Sequence, residues 1–313
     1  MIDDGGASGP RAVERLSLGV AIRARPTGAP RVGSGRGEQM TAIRLRVVDA
    51  FTDTPFGGNS ATVVVLDETP SDEWMALVAR EINVSDTAFV IRDALPDADF
   101  RLRWFTPVAE VDLCGHATLA SAHCLFEDGM LDSIRFATRS GVVTVTRRSD
   151  GSLAMDFPAW RATQIDARDV TAEALGTPVD WTGRTDNDFF MLARLVDERA
   201  VRALSPNLTA VAQLDASAII ATAAADPGEA YHFVSRVFAP KEGIPEDPVT
   251  GSSPTVLAPF WGDRLHRIAL VGFQVSQRSG RVDVELMGER VIIAGRAVTV
   301  LDGELVPAAA PRD

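Results

Sequence analysis

The feature that most constrains the fold of this chain is an internal repeat. Residues 112–126, DLCGHATLASAHCLF, are echoed by residues 246–261, EDPVTGSSPTVLAPFW. Each copy is preceded by a Phe-Xaa-Pro, Phe105-Thr106-Pro107 in the first and Phe238-Ala239-Pro240 in the second. An acidic loop, a glycine and a run of small and apolar residues then follow. Phe and Gly are separated by 10 residues in the first copy and 13 in the second, so the second carries a three-residue insertion. A run of small and apolar residues of this length predicts a buried helix, and two of them predict two similar halves, each built around one central helix.

A glycine at the head of a helix lets another group approach the backbone closely. The free N–H groups and positive dipole end there favour an anion. Two such helix starts, Gly115 and Gly251, predict a site between the halves. For either one alone, a tight loop-to-helix turn is the competing reading, and the repetition with polar residues at both starts favours the site.

The 313 residues are enough for two domains or one large pseudo-symmetric one, and 46% apolar with 24% charged residues is the composition of a globular protein. The net charge of −12 offers no basic stripe to neutralise phosphates, which argues against a nucleic-acid partner. No run of 18 apolar residues is present, so no membrane-spanning helix is expected. Cys114 and Cys124 stand ten residues apart on one expected helix, about 15 Å along its axis, too far for a disulfide. Reduced thiols and a cytoplasmic location are the expectation. Residues 1–40, rich in Gly, Arg, Ala and Pro, lack the apolar core of a signal peptide and read as a disordered extension, with the working protein starting near Met40.

From Thr41 the pattern is regular. Ile43, Leu45 and Val47 alternate with Arg44 and Arg46, the period of a half-buried strand. Residues 53–59 form a Pro/Gly/Asn turn, and 61–66 a second strand. Thr69, Pro70 and Asp72 mark a helix start, and that helix is expected to bury Trp74, Leu77 and Val78. Strands are expected at 87–91, 100–105, 133–137, 142–147 and 153–157, and in the second half near 189–195, 218–222, 231–238, 282–286 and 291–294. The expected fold is α+β, with a first half at 41–160, a junction at 161–184 and a second half at 185–313, each half a sheet rolled around its helix.

Three polar clusters can carry chemistry. Asp86, at the head of the apolar segment Thr87-Ala88-Phe89, would have its pKa raised toward the range useful for proton transfer in a dry pocket; alone, it could equally be a turn aspartate. His116, one residue past Gly115, would be kept neutral by the helix N-terminus, able to donate one hydrogen bond and accept another, or would simply pack there. Asp247 could hold a substrate amine or orient His116, while Ser252 and the Gly251 amide offer donors to a carboxylate. No zinc-ligand spacing, GxGxxG, P-loop or GxSxG occurs, so neither a metal nor a nucleotide is indicated.

Val48-Asp49-Ala50-Phe51-Thr52 with Gly58-Asn59, Ser85-Asp86-Thr87-Ala88-Phe89, Cys114-Gly115-His116-Ala117-Thr118 and Glu246-Asp247-Pro248-Val249-Thr250-Gly251-Ser252 together resemble the PhzF family of phenazine-biosynthesis isomerases. The resemblance spans nearly the whole chain after Met40. It implies a diaminopimelate-epimerase-like fold of two similar halves, a cleft between them, no cofactor and commonly a homodimer. It also implies Asp86, His116 and Asp247 as catalytic groups and Asn59, Ser85, Gly115, Gly251 and Ser252 as substrate-binding ones, acting on a small carboxylate-bearing metabolite. The family's phenazine enzyme isomerises trans-2,3-dihydro-3-hydroxyanthranilate by moving a proton with one carboxylate. Here Asp86 stands where the family has glutamate, and the shorter side chain reaches roughly 1.5 Å less, while a misplacement near 1 Å can cost about 10²-fold in rate. Ser253-Pro254 is a smaller departure. Two other readings are a two-base epimerase, against which Thr250 rather than a thiol stands at the second helix start, and a ligand-binding protein that has lost its chemistry.

Overall fold

The computed structural model describes residues 42–306 except Ala94 and Leu131; the expected N-terminal extension lies outside the described residues. The first half runs β1 (Ile43–Ala50), β2 (Asn59–Leu66), α1 (Asp72–Ile82), β3 (Asp86–Ile91), β4 (Phe100–Phe105), β5 (Glu110–Val111), α2 (Gly115–Glu127), β6 (Ser133–Thr138), β7 (Gly141–Arg147) and β8 (Leu153–Pro158). After β9 (Ala162–Gln164) and α3 (Arg168–Leu175) the second half runs β10 (Trp181–Thr185), β11 (Phe190–Arg194), α4 (Glu198–Arg202), α5 (Leu208–Val211), β12 (Ala218–Ala224), β13 (Phe233–Ala239), β14 (Ile244–Asp247), α6 (Pro254–Leu265), β15 (Ala269–Gln274), β16 (Gly280–Met287) and β17 (Arg290–Gly295). The last strand is β18 (Ala297–Leu305).

The pairings repeat element for element. β2 is antiparallel to β1 and parallel to β3, as β11 is antiparallel to β10 and parallel to β12. β4 lies between antiparallel β3 and parallel β6, as β13 lies between antiparallel β12 and parallel β15. The two parallel links of each half need crossovers, and helices supply them: α1 and α2 in the first half, α4 with α5 and then α6 in the second.

Two stretches cross the expected boundaries. β9, in the segment expected as a junction, pairs with β10 of the second half, and β18, at the end of the chain, pairs along its length with β1 of the first. Each half thus completes its sheet with a strand from beyond its own sequence span. β8 and β17, at equivalent places in the two halves, pair antiparallel from Leu153↔Gly295 to Pro158↔Arg290 and join the halves into one sheet.

The central helices are buried on nearly every side. α2 buries all of its residues from Gly115 to Phe126 except His123, and α6 is buried from Pro254 to Gly262. Both contribute to one apolar core with β3, β8 and β17, in which Ala88, Leu119, Met155, Val256, Leu257 and Ile293 are at most 1% exposed. Strand alternation sends Phe89 and Ile91 to the other face, where they pack with Met75, Val78 and Ala79 of α1. Of the residues expected to be buried, Val78 lies in this cluster and Trp74 packs partly buried against it, while Met75 and Ala79 take the place of Leu77. Leu77 is half exposed, and Ser71, accepting from Trp74 N at 3.2 Å, is the cap in place of Thr69.

The two repeated glycines differ in position. Gly115 is the first residue of α2, whereas Gly251 stands three residues before Pro254, the first residue of α6. Pro254 has no N–H to extend the helix backwards, and the turn before it closes instead through Thr255 N to the Ser252 carbonyl at 3.0 Å.

Candidate active site

The two glycines meet each other. A Cβ on Gly115 would lie 2.8–2.9 Å from the backbone of Gly251, and a Cβ on Gly251 2.7 Å from the amide nitrogen of His116. The close approach that glycine permits is thus between the two helix starts themselves, and it draws the polar residues around them into one place.

Asn59, the first residue of β2, is fully buried. It is delivered by a turn at Gly58, whose φ of +59° and whose contact with the Ala50 carbonyl only glycine tolerates. The turn is anchored across the halves by Arg278, which donates to buried Asp49 at 2.7 Å and to the Gly57 and Gly58 carbonyls at 2.7 and 2.9 Å. The Asn59 amide donates to Asp247 Oδ1 at 2.7 Å and to the Val249 carbonyl at 2.9 Å, and its Nδ2 lies 3.2 Å from His116 Nδ1. Asp247 is locked further by the Thr250 hydroxyl at 2.6 Å. Gln274 donates to the Asp247 carbonyl at 2.6 Å and accepts from Thr250 N at 2.9 Å.

Asp86 opens β3, on the sheet face that looks at α2. His116 Nε2 lies 3.4 Å from its Oδ2, and both side chains are nearly closed to solvent, at 6% and 5% exposure. The other carboxylate oxygen, Oδ1, is buried without a hydrogen-bond partner, as is Asn59 Oδ1. A buried acceptor left unpaired costs about 1–3 kcal/mol, so these two atoms mark where a ligand donor would gain most.

Burial sets the electrostatics. Desolvation first, then the charge of Asp247, push the Asp86 carboxyl up to about 7, against a smaller opposing effect of the Cys114 thiol. Desolvation also raises the Asp247 carboxyl, with Thr250 and Asn59 opposing. His116 is lowered to about 3 by burial and is neutral at physiological pH. The Cys114 thiol is held well above its ordinary range by burial and by the Asp86 charge.

Of the residues expected from the sequence, Asn59, Asp86, His116, Asp247, Gly115 and Gly251 come together here. Ser85 and Ser252 flank them half-buried. Cys114 and Gln274 were missed. A polar residue closing the apolar strand β15 is the signal that would have found Gln274; a lone thiol before a helix gives none for Cys114. Cys114 Sγ in fact lies 3.4 Å from His116 Nδ1, and its sulfur, an Asp86 oxygen and a His116 nitrogen all fall within 4.8 Å of one another. These three donors suit a soft divalent cation by type. Binding one through Nε2 would put a proton on Nδ1, facing an Asn59 amide whose N–H groups are already engaged, so the surroundings favour proton exchange over metal ligation.

A cavity of about 270 Å³ lies elsewhere, lined by Arg44, Arg46, Arg92 and Asp128 among others. Its arginines are paired, Arg44 and Arg46 with Asp128 and Arg92 with Asp67, so this hollow presents no unpaired arginine.

Residues 48–303 match the family described as phenazine biosynthesis-like protein (PhzC-PhzF). The chain belongs to the PhzF family. An uncharacterized isomerase of Pseudomonas aeruginosa is 46% identical over 266 residues, covering 84% of this chain and 98% of the relative. Another, of Halalkalibacterium halodurans, is 40% identical over 272 residues, covering 85% and 100%. Among solved structures, a PhzF family protein of Enterococcus faecalis superimposes with a TM-score of 0.79 at 37% identity, over 85% of this chain and 99% of that one. A hydroxyproline epimerase of Agrobacterium vitis, 12% identical with a TM-score of 0.56 over 84% and 93%, shares the fold alone. The architecture is therefore the α+β, diaminopimelate-epimerase-like fold expected, and the PhzF relatives carry the name isomerase. No helix among the described residues is long and apolar enough to cross a membrane.

Proposed function

We propose that this chain is a cofactor-independent isomerase that moves a proton on a small carboxylate-bearing metabolite, with Asp86 as the acid-base group. The observation that carries this reading is the state of Asp86: a side chain 6% exposed, its carboxyl pushed up to about 7, with one oxygen unpaired. A base whose pKa sits near the working pH can both take a proton and return it, which is what a one-carboxylate isomerisation needs. His116, neutral and with Nε2 3.4 Å away, can present an N–H to the carboxylate without competing for the proton. Asp247 bears on His116 through Asn59, which contacts both. The Gly251 amide and Ser252 at the second helix start are the carboxylate-binding side. The same reading takes the chain to be a cytoplasmic homodimer, which sedimentation at graded concentrations tests.

A two-base epimerase is supported less well, because the second helix start has Thr250 where a second thiol would stand, and its hydroxyl is spent on Asp247. With trans-2,3-dihydro-3-hydroxyanthranilate and related carboxylates as trial substrates, Asp86→Asn is expected to lose about 10²-fold to 10⁴-fold in kcat, the range that general acid-base catalysis supplies. Unchanged turnover in a folded Asp86→Asn protein would refute the assignment. Asp86→Glu separates two cases: slower turnover means a site built for the shorter side chain, faster turnover a displaced shuttle.

A further inference from the structure

His116 is neutral, so its ring has one N–H and one lone pair. Nε2 faces the Asp86 carboxylate at 3.4 Å, where an N–H is the favourable choice. Nδ1 then presents its lone pair. The nearest nitrogen, Asn59 Nδ2 at 3.2 Å, has two hydrogens, and two shorter contacts claim them: Asp247 Oδ1 at 2.7 Å and the Val249 carbonyl at 2.9 Å. The remaining neighbour is Cys114 Sγ, 3.4 Å from Nδ1 and 3.9 Å from Nε2. Cys114 is the residue before α2 and caps it with no side-chain hydrogen bond of its own. Its thiol is buried between the Asp86 carboxyl and the His116 ring, so its proton has two acceptors to choose from.

We propose that Cys114 is a positioning residue whose S–H donates to His116 Nδ1 and thereby fixes the ring with its Nε2–H on Asp86. The chain of donors runs Cys114 S–H to Nδ1, then Nε2–H to Asp86 Oδ2. The thiol has one proton, and Asp86 also lies within its reach. Asp86 is faced by the imidazole Nε2 at 3.4 Å, whereas Nδ1 has no other donor, so we assign the thiol proton to the ring. The high thiol pKa is consistent with this role, because a positioning donor must keep its proton. Were the donor absent, Nδ1–H and Nε2–H forms of the ring would compete, and in the former a lone pair would face the carboxylate. The role of this contact in catalysis rests on Asp86 being the acid-base group; the hydrogen bond itself does not.

The test is the ¹⁵N spectrum of the histidine-labelled full chain, with the His116 signals assigned by their loss in His116→Gln. The expected result in the wild-type protein is protonated Nε2 and a hydrogen-bonded lone pair at Nδ1. In Cys114→Ala the Nδ1 resonance moves toward that of a free lone pair or the tautomers mix, and Cys114→Ser, which keeps a donor, restores the wild-type pattern. A wild-type spectrum with Nδ1 protonated overturns the proposal, as does an Nδ1 resonance unmoved in Cys114→Ala. Should Cys114→Ala fail to fold, the wild-type spectrum decides alone. Turnover of an accepted substrate supplies the second readout: kcat falls roughly threefold to tenfold in Cys114→Ala, the factor one ordinary hydrogen bond is worth, with KM unchanged and Cys114→Ser near wild type. A moved resonance with unchanged kcat leaves the hydrogen bond standing and sinks the catalytic role.

Discussion

Replacing Asp86 with Asn should change how stability depends on pH, and the structure gives the sign and the size. The carboxyl moves from 3.8 to about 7 on folding. Between these values the folded chain keeps a proton that the unfolded chain has lost, so stability falls as pH rises through this window and levels off above about 7. At about 1.4 kcal/mol per pH unit, Asp86 costs the folded wild-type protein about 4 kcal/mol at pH 8 relative to pH 4. Asn cannot ionise, and its amide, placed where one oxygen had no partner, has a burial cost that does not vary with pH. The absolute stability of Asp86→Asn therefore mixes two effects, whereas its difference from wild type across pH isolates one. Urea unfolding of both proteins from pH 4.5 to 8.5 should show Asp86→Asn gaining on wild type by most of those 4 kcal/mol, with little further gain above pH 7.5. A difference constant across the range would refute the claim that a buried, ionisable Asp86 with a raised pKa is present at all.

Other expectations follow from the same geometry. Gly115→Ala places a methyl 2.8–2.9 Å from Gly251 backbone that cannot rotate away; a loss of about 1–3 kcal/mol is expected by urea unfolding, and a stability equal to wild type would contradict the glycine contact. Arg278→Ala leaves Asp49 without its cation and the turn before Asn59 without two carbonyl partners. It should lower stability by about 3–5 kcal/mol if the charge stays buried, and by less than about 1 kcal/mol if the turn is held by other means. Asn59→Ala should lower turnover more than stability, since it separates Asp247 from His116; equal effects on both would make Asn59 structural only.

Much of the fold was legible because the chain states it twice. The paired Phe-Xaa-Pro, glycine and helix pattern pointed to two halves, and β1, β4, β8 and β17 could be read from alternation. What escaped was of two kinds. Neither β9 nor β18 was expected as a strand, and β18 finds its partner in the other half; strand periodicity reports which face is buried but not which strand lies alongside. α3, α4 and α5, with 8, 5 and 4 residues, are too short to show a helical period. At the site, Asp86, His116 and Asp247 could be named from motifs, while the physical reason for the two glycines could not, because their contact with each other is a property of the assembled halves. Cys114 was set aside for the same reason: a thiol acquires its role only when a histidine two residues on turns back toward it.

The central claim is that Asp86 carries the proton, and the most direct measurement is hydrogen exchange between solvent and substrate. With trans-2,3-dihydro-3-hydroxyanthranilate, or whichever trial carboxylate the wild-type protein accepts, in deuterated buffer near pH 7, mass spectrometry should find one deuterium in the product at the position that receives the proton, and Asp86→Asn should slow that incorporation by about 10²-fold or more. Incorporation at the wild-type rate in folded Asp86→Asn would contradict the account and pass the base to His116 or Asp247.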